Sequence, residues 1–351
     1  MARSKFDTST AAEDLTRETL LKQFAPSGRF WGVQGSFPSY NPQLGGQTTC
    51  HTLKFADTLV IFDTGSGIIE LGNELIVDHL MPGFTWIDCE DFMTKFLKRD
   101  GKPENLGKAL IQAGLFKEEP EPLRIVIIYS HVHGDHLYGI QSFKPIYSPN
   151  TEIEFFGGLH TRPIKNKATG LWSTELWDIE RTMKERVFTG PTYPVEEEWL
   201  ASKRTYNTVK ENDTFHIGCS IGGDIKVEVL PMYHPNQAYA YRFTWGGKIT
   251  VVTLDHEHGH EYDKNITKAW EGADVVVTEV QYDEKMYATR QKFGHTTPNA
   301  AAIHAKEAKP RLIITTHHDP DASLETVIDI ARTLEELSGI RTNYAISGMR
   351  F

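Results

Sequence analysis

Short apolar runs, each followed by a polar or glycine-rich turn, recur along the chain from residue 58 onward. They are about five to seven residues long and rich in β-branched side chains, which favours strands over helices. With the turns that follow them, the predicted strands occupy residues 58–67, 123–136, 224–234, 248–258, 274–280 and 311–320. Histidine and aspartate stand at the ends of several runs, where strands of α/β folds deliver side chains into a common crevice.

Helical periodicity is clearest in two segments near the end of the chain. Residues 298–308 follow Thr297, a suitable N-cap, and begin with Pro298, which is favoured in a first helical turn. Residues 323–339 carry Leu, Val and Ile at helical spacing, and Gly339 stands where that helix is expected to end. Strands interspersed with helices predict an α/β or α+β fold class.

The remaining segments divide the chain into an extension and one large domain. An amphipathic helix is predicted over 11–24, within an N-terminal helical extension over 1–27. Residues 28–351 are predicted to form the main domain. Two insertions are expected in it, a charged, helical one at about 81–120 and a polar, aromatic one at about 156–215.

Composition and charge narrow the functional class. The formal net charge of −10 argues against a protein that grips nucleic acid through its phosphates, so we expect a small-molecule partner. Three widely spaced cysteines give neither a disulfide framework nor a Cys-x-x-Cys metal site. Because we find no apolar run with the length of a signal peptide or a membrane span, we expect a cytoplasmic protein without a membrane partner.

The strongest chemical signal is the sequence HVHGDH at 131–136, directly after a predicted strand. His131 and His133 point to the same side of an extended chain, because side chains alternate with period two, and can bind one metal ion together. Where the chain bends, Asp135 and His136 turn toward a second position. Imidazole and carboxylate groups are suitable ligands for zinc and related divalent ions. The alternative, a solvated loop, agrees poorly with the preceding strand and the internal glycine.

Further ligand-type residues end other predicted strands. His234 follows VEVLPMY, Asp255 follows KITVVTL, and His317 follows RLIITT. Each alone is compatible with an ordinary strand end. Their order after the HVHGDH sequence favours one site that holds two metal ions.

Taken together, these motifs resemble those of the metallo-β-lactamase superfamily, in its phosphodiesterase and tRNA 3′-processing endonuclease (tRNase Z-like) branch. Besides residues 131–136, the resemblance is carried by GVQGSFP at 32–38, GGQTTC at 45–50, FDTGSGIIELG at 62–72, YHPNQAYAYRF at 233–243, TLDHEHG at 253–259, FGHTT at 293–297 and THHDP at 316–320. The resemblance covers residues 28–320. It implies a four-layer αββα sandwich of two mixed sheets, with the site at one edge.

The resemblance also implies seven ligands for two divalent ions, zinc or alternatively manganese. One ion would be bound by three histidines and the other by an aspartate and two histidines, with one bridging aspartate: His131, His133 and His234; Asp135, His136 and His317; and Asp255 between them. The histidines at 256, 258, 260 and 318 are expected to support ligands or lie at the surface, because the ligand set is already complete.

Three further roles follow from the same resemblance. Asp63 would orient a ligand histidine by hydrogen bonding. His295 and Asp135 are the candidate catalytic residues, and His295 would lie near the leaving group as a general acid. Because a helix start disfavours the charged form of His295, an acidic neighbour is also expected, although the sequence does not identify it.

The expected reaction is hydrolysis of a phosphodiester in a small or cyclic nucleotide-like substrate, by attack of a metal-bound hydroxide. Two divalent ions, two carboxylates and one hydroxide leave a charge of about +1, which suits an anionic substrate. The alternatives are a carboxylic ester or lactone hydrolase on the same metals, a tRNA 3′-processing endonuclease, and a non-catalytic metal-binding module. A homodimer is expected only by analogy with relatives.

Overall fold

The computed structural model describes residues 26–80, 95, 112, 122–167, 169–190 and 193–351. The predicted helix at 11–24 lies outside these residues, as does the predicted insertion at 81–120 apart from two positions. In the described part of the chain, no helix has both the length and the apolar character needed to cross a membrane.

The described elements are fifteen strands and seven α-helices. In chain order, the strands are β1 (Ser27–Gly32), β2 (Cys50–Phe55), β3 (Thr58–Phe62), β4 (Leu123–Tyr129), β5 (Thr151–Gly158), β6 (His160–Lys165), β7 (Trp172–Trp177), β8 (Lys203–Val209), β9 (Thr214–Ile217), β10 (Ile225–Met232), β11 (Ala238–Trp245), β12 (Lys248–Thr253), β13 (Val275–Glu279), β14 (Ile313–Thr316) and β15 (Thr342–Tyr344). The helices are α1 (Ile68–Leu80), α2 (Gly134–Leu137), α3 (Ile179–Thr182), α4 (Asp263–Trp270), α5 (Glu284–Arg290), α6 (Pro298–Ala308) and α7 (Leu324–Ser338).

The strands form two large mixed sheets and one separate hairpin. The first sheet has the order β1-β2-β3-β4-β5-β8, in which β3, β4, β5 and β8 are parallel. The second has the order β15-β14-β13-β12-β11-β10-β9, in which β12 to β15 are parallel. Strands β6 and β7 pair only with each other among the described strands.

Alternation along the strands divides the core into three apolar clusters. Val60 and Phe62 of β3 belong to the cluster between the two sheets, whereas Ile61 belongs to a cluster on the outer face of the first sheet. In the second sheet, Val277 of β13 joins the central cluster and Val276 joins a cluster on the outer face. Each sheet therefore buries both faces, because successive side chains along a strand point to opposite faces and both sets are apolar.

Helices cover the two outer faces. Ile68 of α1 and Ile179 of α3 pack in the outer cluster of the first sheet. Trp270 of α4, Ala305 of α6 and Leu334 of α7 pack in the outer cluster of the second. The layers are helix, sheet, sheet and helix, which confirms the predicted four-layer αββα sandwich.

The six predicted strands and the two helices predicted near the end of the chain are also confirmed, whereas the helix predicted at 11–24 is not tested. The six predicted strands are β3, β4, β10, β12, β13 and β14, and the two predicted helices are α6 and α7. The side chain of Thr297 accepts a hydrogen bond from the backbone N–H of Ala300 at 3.4 Å, which caps α6. Gly339 ends α7 in the left-handed conformation, with φ of 73°.

The predicted insertion at about 156–215 contains two kinds of structure. Strands β8 and β9 lie in it, and each belongs to one of the large sheets. The β6–β7 hairpin and α3 lie between β5 and β8 and are not part of either large sheet, although α3 packs on the outer face of the first.

Candidate metal centre

The ligand-type side chains come from strand ends and the turns that follow them. Strands β3 and β4 are parallel, as are β12, β13 and β14, and β10 runs in the same direction as β12 because both are antiparallel to β11. Asp63 and His317, directly after β3 and β14, have left-handed backbone φ angles of 52° and 56°. Such angles are unfavourable for residues other than glycine and cluster at functional sites.

Three histidines form the first group of donor atoms. His131, His133 and His234 each offer a ring nitrogen, and these atoms lie within 4.8 Å of one another. Nδ1 of His133 and Nε2 of His234 are 3.1 Å apart. Nε2 of His131 is buried and has no hydrogen-bond partner. These three donors converge although two come from the first sheet and one from the second.

One aspartate and two histidines form the second group. The Nε2 atoms of His136 and His317 face each other at 3.0 Å. Oδ2 of Asp135 is 3.2 Å from Nε2 of His136 and 3.3 Å from Nε2 of His317. The carboxylate of Asp135 is held in place by the backbone N–H of Ser36, at 2.8 Å.

Asp255 lies between the two groups, with one oxygen toward each. Its Oδ1 is 3.4 Å from Nε2 of His136 and 3.2 Å from Nε2 of His317. Its Oδ2 is 3.7 Å from Nε2 of His131 and 3.8 Å from Nε2 of His234. This is the arrangement required of a carboxylate that bridges two cations.

The donor atoms of both groups fit divalent ions. Two ligands that are each about 2.0–2.1 Å from a tetrahedral zinc ion are about 3.3 Å apart. The distances above, from 3.0 to 3.8 Å, scatter around that value. Oδ1 of Asp255 is also buried without a hydrogen-bond partner, although His136 and His317 are near. A cation on either side would satisfy atoms that the protein alone leaves unpaired.

The electrostatics of the cluster favour positive charge at the same place. Burial lowers the pKa of the His136 imidazole, but the carboxylates of Asp135, Asp255 and Asp63 raise it well above its usual value overall. Burial raises the pKa of the Asp255 carboxyl, but His317, His136 and His131 lower it well below its usual value. Either a proton on His136 or a metal cation at its Nε2 would supply the positive charge that the surrounding carboxylates favour.

Four of these ligand-type histidines have their other ring nitrogen held by a protein group. These contacts are His131 Nδ1 to Ser130 Oγ at 3.0 Å, His136 Nδ1 to Asp63 Oδ2 at 2.8 Å, His234 Nδ1 to the Gly294 carbonyl at 2.8 Å and His317 Nδ1 to Gln281 Oε1 at 2.8 Å. Such contacts fix the tautomer and ring orientation of a ligand. Of these partners, the sequence indicated Asp63 but not the other three.

His295 lies beside both groups, at the start of the segment that leads into α6. Its Nδ1 is buried without a hydrogen-bond partner, 3.9 Å from Oδ2 of Asp255 and 3.9 Å from Oε1 of Glu279. Burial lowers the pKa of the His295 imidazole to about 3. Burial and Asp255 raise the pKa of the Glu279 carboxyl well above its usual value. Asp255 and Glu279 are thus the acidic neighbours that the sequence left unidentified.

A buried carboxylate, Glu257, holds the loop that carries His295. Its oxygens accept hydrogen bonds from the Tyr287 hydroxyl at 2.9 Å and from the backbone N–H groups of Lys292 and Gly294 at 2.6 and 3.1 Å. Gly294 has a φ of 91°, and a Cβ there would collide with the ring of His234. This loop therefore needs both its glycine and its carboxylate to approach the histidines so closely.

The other conspicuous histidines have partners outside the cluster. Nδ1 of His256 contacts the Leu254 carbonyl at 2.8 Å, and Nδ1 of His258 contacts the Thr296 hydroxyl at 3.0 Å. The ring of His260 stacks on Tyr233. At 318, the histidine Nε2 contacts the Ala345 carbonyl at 2.9 Å. Among the described residues, none of these four histidines joins a group of converging metal-type ligands.

The architecture is similar to that of three solved structures. The metallo-β-lactamase fold protein YhfI from Bacillus subtilis has a TM-score of 0.56 and 17% identity, with 93% of this chain and 98% of that chain covered. A diphosphatase of the PhnP family has a TM-score of 0.53 and 14% identity, with 93% and 97% covered. The short form of human tRNase Z has a TM-score of 0.51 and 15% identity, with 93% and 98% covered.

These similarities define the class of fold. Almost the whole of each structure is covered, and each TM-score is above 0.5. The chain therefore has the metallo-β-lactamase fold. No family model matches the sequence, and neither does any curated protein.

Proposed function

We propose that this protein is a metal-dependent phosphodiesterase with two metal ions, which hydrolyses a small or cyclic nucleotide-like phosphodiester. The observation that carries the proposal is the position of Asp255, whose two carboxylate oxygens face two separate groups of ligand-type side chains. A structural ion needs one closed shell of ligands, whereas paired ions a few ångströms apart are typical of enzymes that cleave phosphate esters.

We assign the seven ligand-type residues to the two ions by their positions in the two groups. The three histidines at 131, 133 and 234 would hold one ion, and Asp135, His136 and His317 would hold the other, with Asp255 shared. Five imidazoles and two carboxylates are a donor set suited to zinc, with manganese as the alternative. When bound, such ions polarise a phosphoryl oxygen and lower the pKa of a water molecule toward neutrality.

The protein's own groups would then bind the substrate and handle a proton. Two divalent ions carry four positive charges, and Asp135 and Asp255 offset two, so the centre attracts an anionic phosphate. His295 is our candidate for the general acid, because its Nδ1 is unpaired and faces two carboxylates. Of these two groups, the Asp255 carboxylate favours a proton on the His295 imidazole and opposes the burial that lowers its pKa, and the leaving oxygen would take that proton.

Two considerations support a small phosphodiester as the substrate class. A diphosphatase and a tRNase Z are among the proteins of similar fold, and both names denote cleavage of phosphate ester or anhydride bonds. The net charge of −10 favours a small substrate over a large RNA, because RNA binding relies on basic surfaces. The similar structures share less than a fifth of their residues with this chain, so the substrate is assigned from the site and the charge.

A panel of substrates tests the proposal. The protein, loaded with zinc or manganese, would be assayed on bis-(p-nitrophenyl) phosphate, cyclic nucleotides, lactones and a tRNA precursor. We expect hydrolysis of the first two, loss of at least a hundredfold in Asp255→Ala, and no change in His216→Ala, which removes an exposed histidine of β9. Hydrolysis of lactones alone, or of the tRNA precursor alone, would contradict the proposal.

A further inference from the structure

A cavity of about 440 Å³ opens beside the metal centre and shares one residue with it. Asp135 lines the cavity and also belongs to the second group of ligand-type side chains. A volume in this range is typical of pockets for small organic ligands. A molecule bound at the metal centre would therefore have room to extend into the cavity.

Three exposed apolar side chains line this one cavity. Phe37, Tyr138 and Ile69 are exposed by 52%, 44% and 38%, respectively. Single exposed apolar residues are ordinary, but several around one concave surface next to a reactive centre indicate a binding site. Two of the three are aromatic, which suits a flat ring as the ligand.

Tyr138 lies next to the helix that carries Asp135, and Phe37 lies on a loop that is hydrogen-bonded to Asp135. Phe37 follows Ser36, whose backbone N–H donates to Oδ2 of Asp135 at 2.8 Å. Tyr138 follows directly after α2, the short helix that contains Asp135. A Cβ at Gly134 would lie 2.9 Å from the Tyr138 ring, so the glycine lets the ring approach the helix. The positions of the two rings are therefore fixed relative to Asp135 and the metal centre.

Apart from Asp135, the polar residues that line the cavity are uncharged. They include Ser36, Ser66, Ser142 and the buried Thr48, whose hydroxyl contacts that of Ser66 at 3.3 Å. Hydroxyl groups donate to and accept from neutral polar atoms, and an unpaired ionic group would be poorly satisfied there. The ligand part that fits is uncharged, with a flat apolar face and several hydrogen-bonding edges.

We propose that this cavity binds the nucleoside part of the substrate, with the base against Phe37 and Tyr138 and the sugar near the hydroxyl groups. The inference rests on the proposed phosphodiesterase function and specifies its substrate class. Base stacking on aromatic side chains is favourable for every base, because each has a π face. The cavity would therefore select for nucleotides over simple phosphodiesters without selecting strongly among bases.

Two measurements on the metal-loaded full chain test this site. The first is equilibrium binding of thymidine, which contains no phosphate and so reports the cavity without any hydrolysis. The second compares thymidine 5′-(p-nitrophenyl phosphate) with methyl p-nitrophenyl phosphate, which share a leaving group and differ in the nucleoside. In Phe37→Ala and in Tyr138→Ala, we expect thymidine affinity to fall about tenfold and KM for the nucleotide to rise about tenfold, with little change for the methyl ester.

The controls separate the cavity from general effects. Trp199→Ala removes an aromatic residue that is 72% exposed and does not line the cavity, so it should leave both measurements unchanged. Tyr138→Phe keeps the ring and should retain most of the binding. Thermal unfolding of each variant checks that it folds, as expected for exposed side chains.

The outcomes distinguish this inference from the proposed function. If both esters are hydrolysed but thymidine does not bind, or if the two alanine variants slow both esters equally, the nucleoside site is wrong and the phosphodiesterase proposal stands. If thymidine binds and the alanine variants abolish that binding, while neither ester is hydrolysed, the nucleoside site stands and the proposed reaction is wrong. Self-association through this face that Phe37→Ala abolishes, without thymidine binding, would also overturn the nucleoside site.

Discussion

The side-chain oxygen of Gln281 lies 2.8 Å from Nδ1 of His317, the ring nitrogen that faces away from the cluster of ligand-type side chains. An amide oxygen can only accept there, so Nδ1 of His317 carries the proton and Nε2 presents its lone pair to the cluster. Gln281 follows β13 by two residues, and His317 follows β14, its parallel neighbour in the second sheet. The pairing of two strands thus sets the tautomer of a proposed ligand.

Replacing Gln281 by Met should weaken metal binding. Methionine has a similar length but no strong acceptor, so His317 loses the contact that fixes its tautomer. We expect affinity for one of two zinc ions to fall about 10- to 100-fold, measured by competition with a chelator. Gln43→Met, at an exposed glutamine, is the matched control. Equal zinc affinities in both variants would show that Gln281 has no such role.

Replacing His295 by Ala should slow substrates according to their leaving group. A general acid contributes about 10²- to 10⁴-fold when the leaving oxygen is a poor one, and much less for p-nitrophenolate. We therefore expect a large loss of kcat with alkyl or nucleoside leaving groups and a small loss with p-nitrophenyl esters. Zinc content, measured in the same samples, should be unchanged. Equal slowing of both substrate types would reject the acid role of His295.

Replacing Glu257 by Gln should affect both His234 and His295 through their shared loop. The amide oxygen of glutamine can still accept from Tyr287 and Lys292, but its NH2 group would face the backbone N–H of Gly294, so the loop loses that contact. We expect weaker zinc binding and lower kcat together, by about tenfold each, with a larger loss of kcat for poor leaving groups than for p-nitrophenyl esters.

A second variant provides the comparison for Glu257. Tyr287→Phe removes one of the three donors to the carboxylate and leaves both backbone donors in place, so its effect should be smaller. A larger effect from the tyrosine than from the glutamate would contradict the assignment of Glu257 as the group that positions the loop.

The ligand-type residues could be found from sequence because each follows a readable strand. His131 and Asp255 come after apolar runs whose length and β-branching identify β4 and β12, and strand ends of this kind meet at one edge. The runs alone predict only an α/β or α+β fold class, and the four layers were expected from the resemblance of the motifs to a known superfamily. What the sequence provides is therefore the set of side chains and the edge at which they meet.

The supporting contacts could not be found in this way. Gln281 and Glu257 are ordinary polar residues in turns, and their roles depend on distances set by the pairing of strands far apart in sequence. The Gly294 contact with His234 is made by a carbonyl group, which every residue has, so no side chain marks it. Strand β11 was also missed, because its polar positions at 242 and 244 interrupt the apolar pattern.

A buried ion pair far from the metal centre gives a prediction about acid stability. Oε1 of Glu197 accepts from Nε of Arg204 at 2.7 Å and from the Tyr206 hydroxyl at 2.7 Å. Burial raises the pKa of the Glu197 carboxyl, but the contacts with Arg204 and Tyr206 lower it below the ordinary value of 4.5 overall. The ionised form is thus favoured in the folded state, and its contribution to stability is complete above pH 4.5 and lost as the pH falls below it.

Glu197→Gln measures that contribution. At neutral pH we expect the free energy of unfolding to fall by about 1 to 2 kcal/mol, because Arg204 loses its counter-charge but keeps its hydrogen bonds to the Leu200 and Glu197 carbonyl groups. Denaturant unfolding at several pH values should show the gap between wild type and variant narrowing below pH 4.5. A gap that widens on acidification would have the wrong sign for a carboxyl group with a lowered pKa.

The proposed function requires that Asp255 stand between two cations. A crystal structure of the protein grown with zinc, with anomalous diffraction data collected on both sides of the zinc absorption edge, would test this. We expect two anomalous peaks, one among His131, His133 and His234 and the other beside His136 and His317, with one oxygen of Asp255 toward each. A single peak, or none among these side chains, would contradict it.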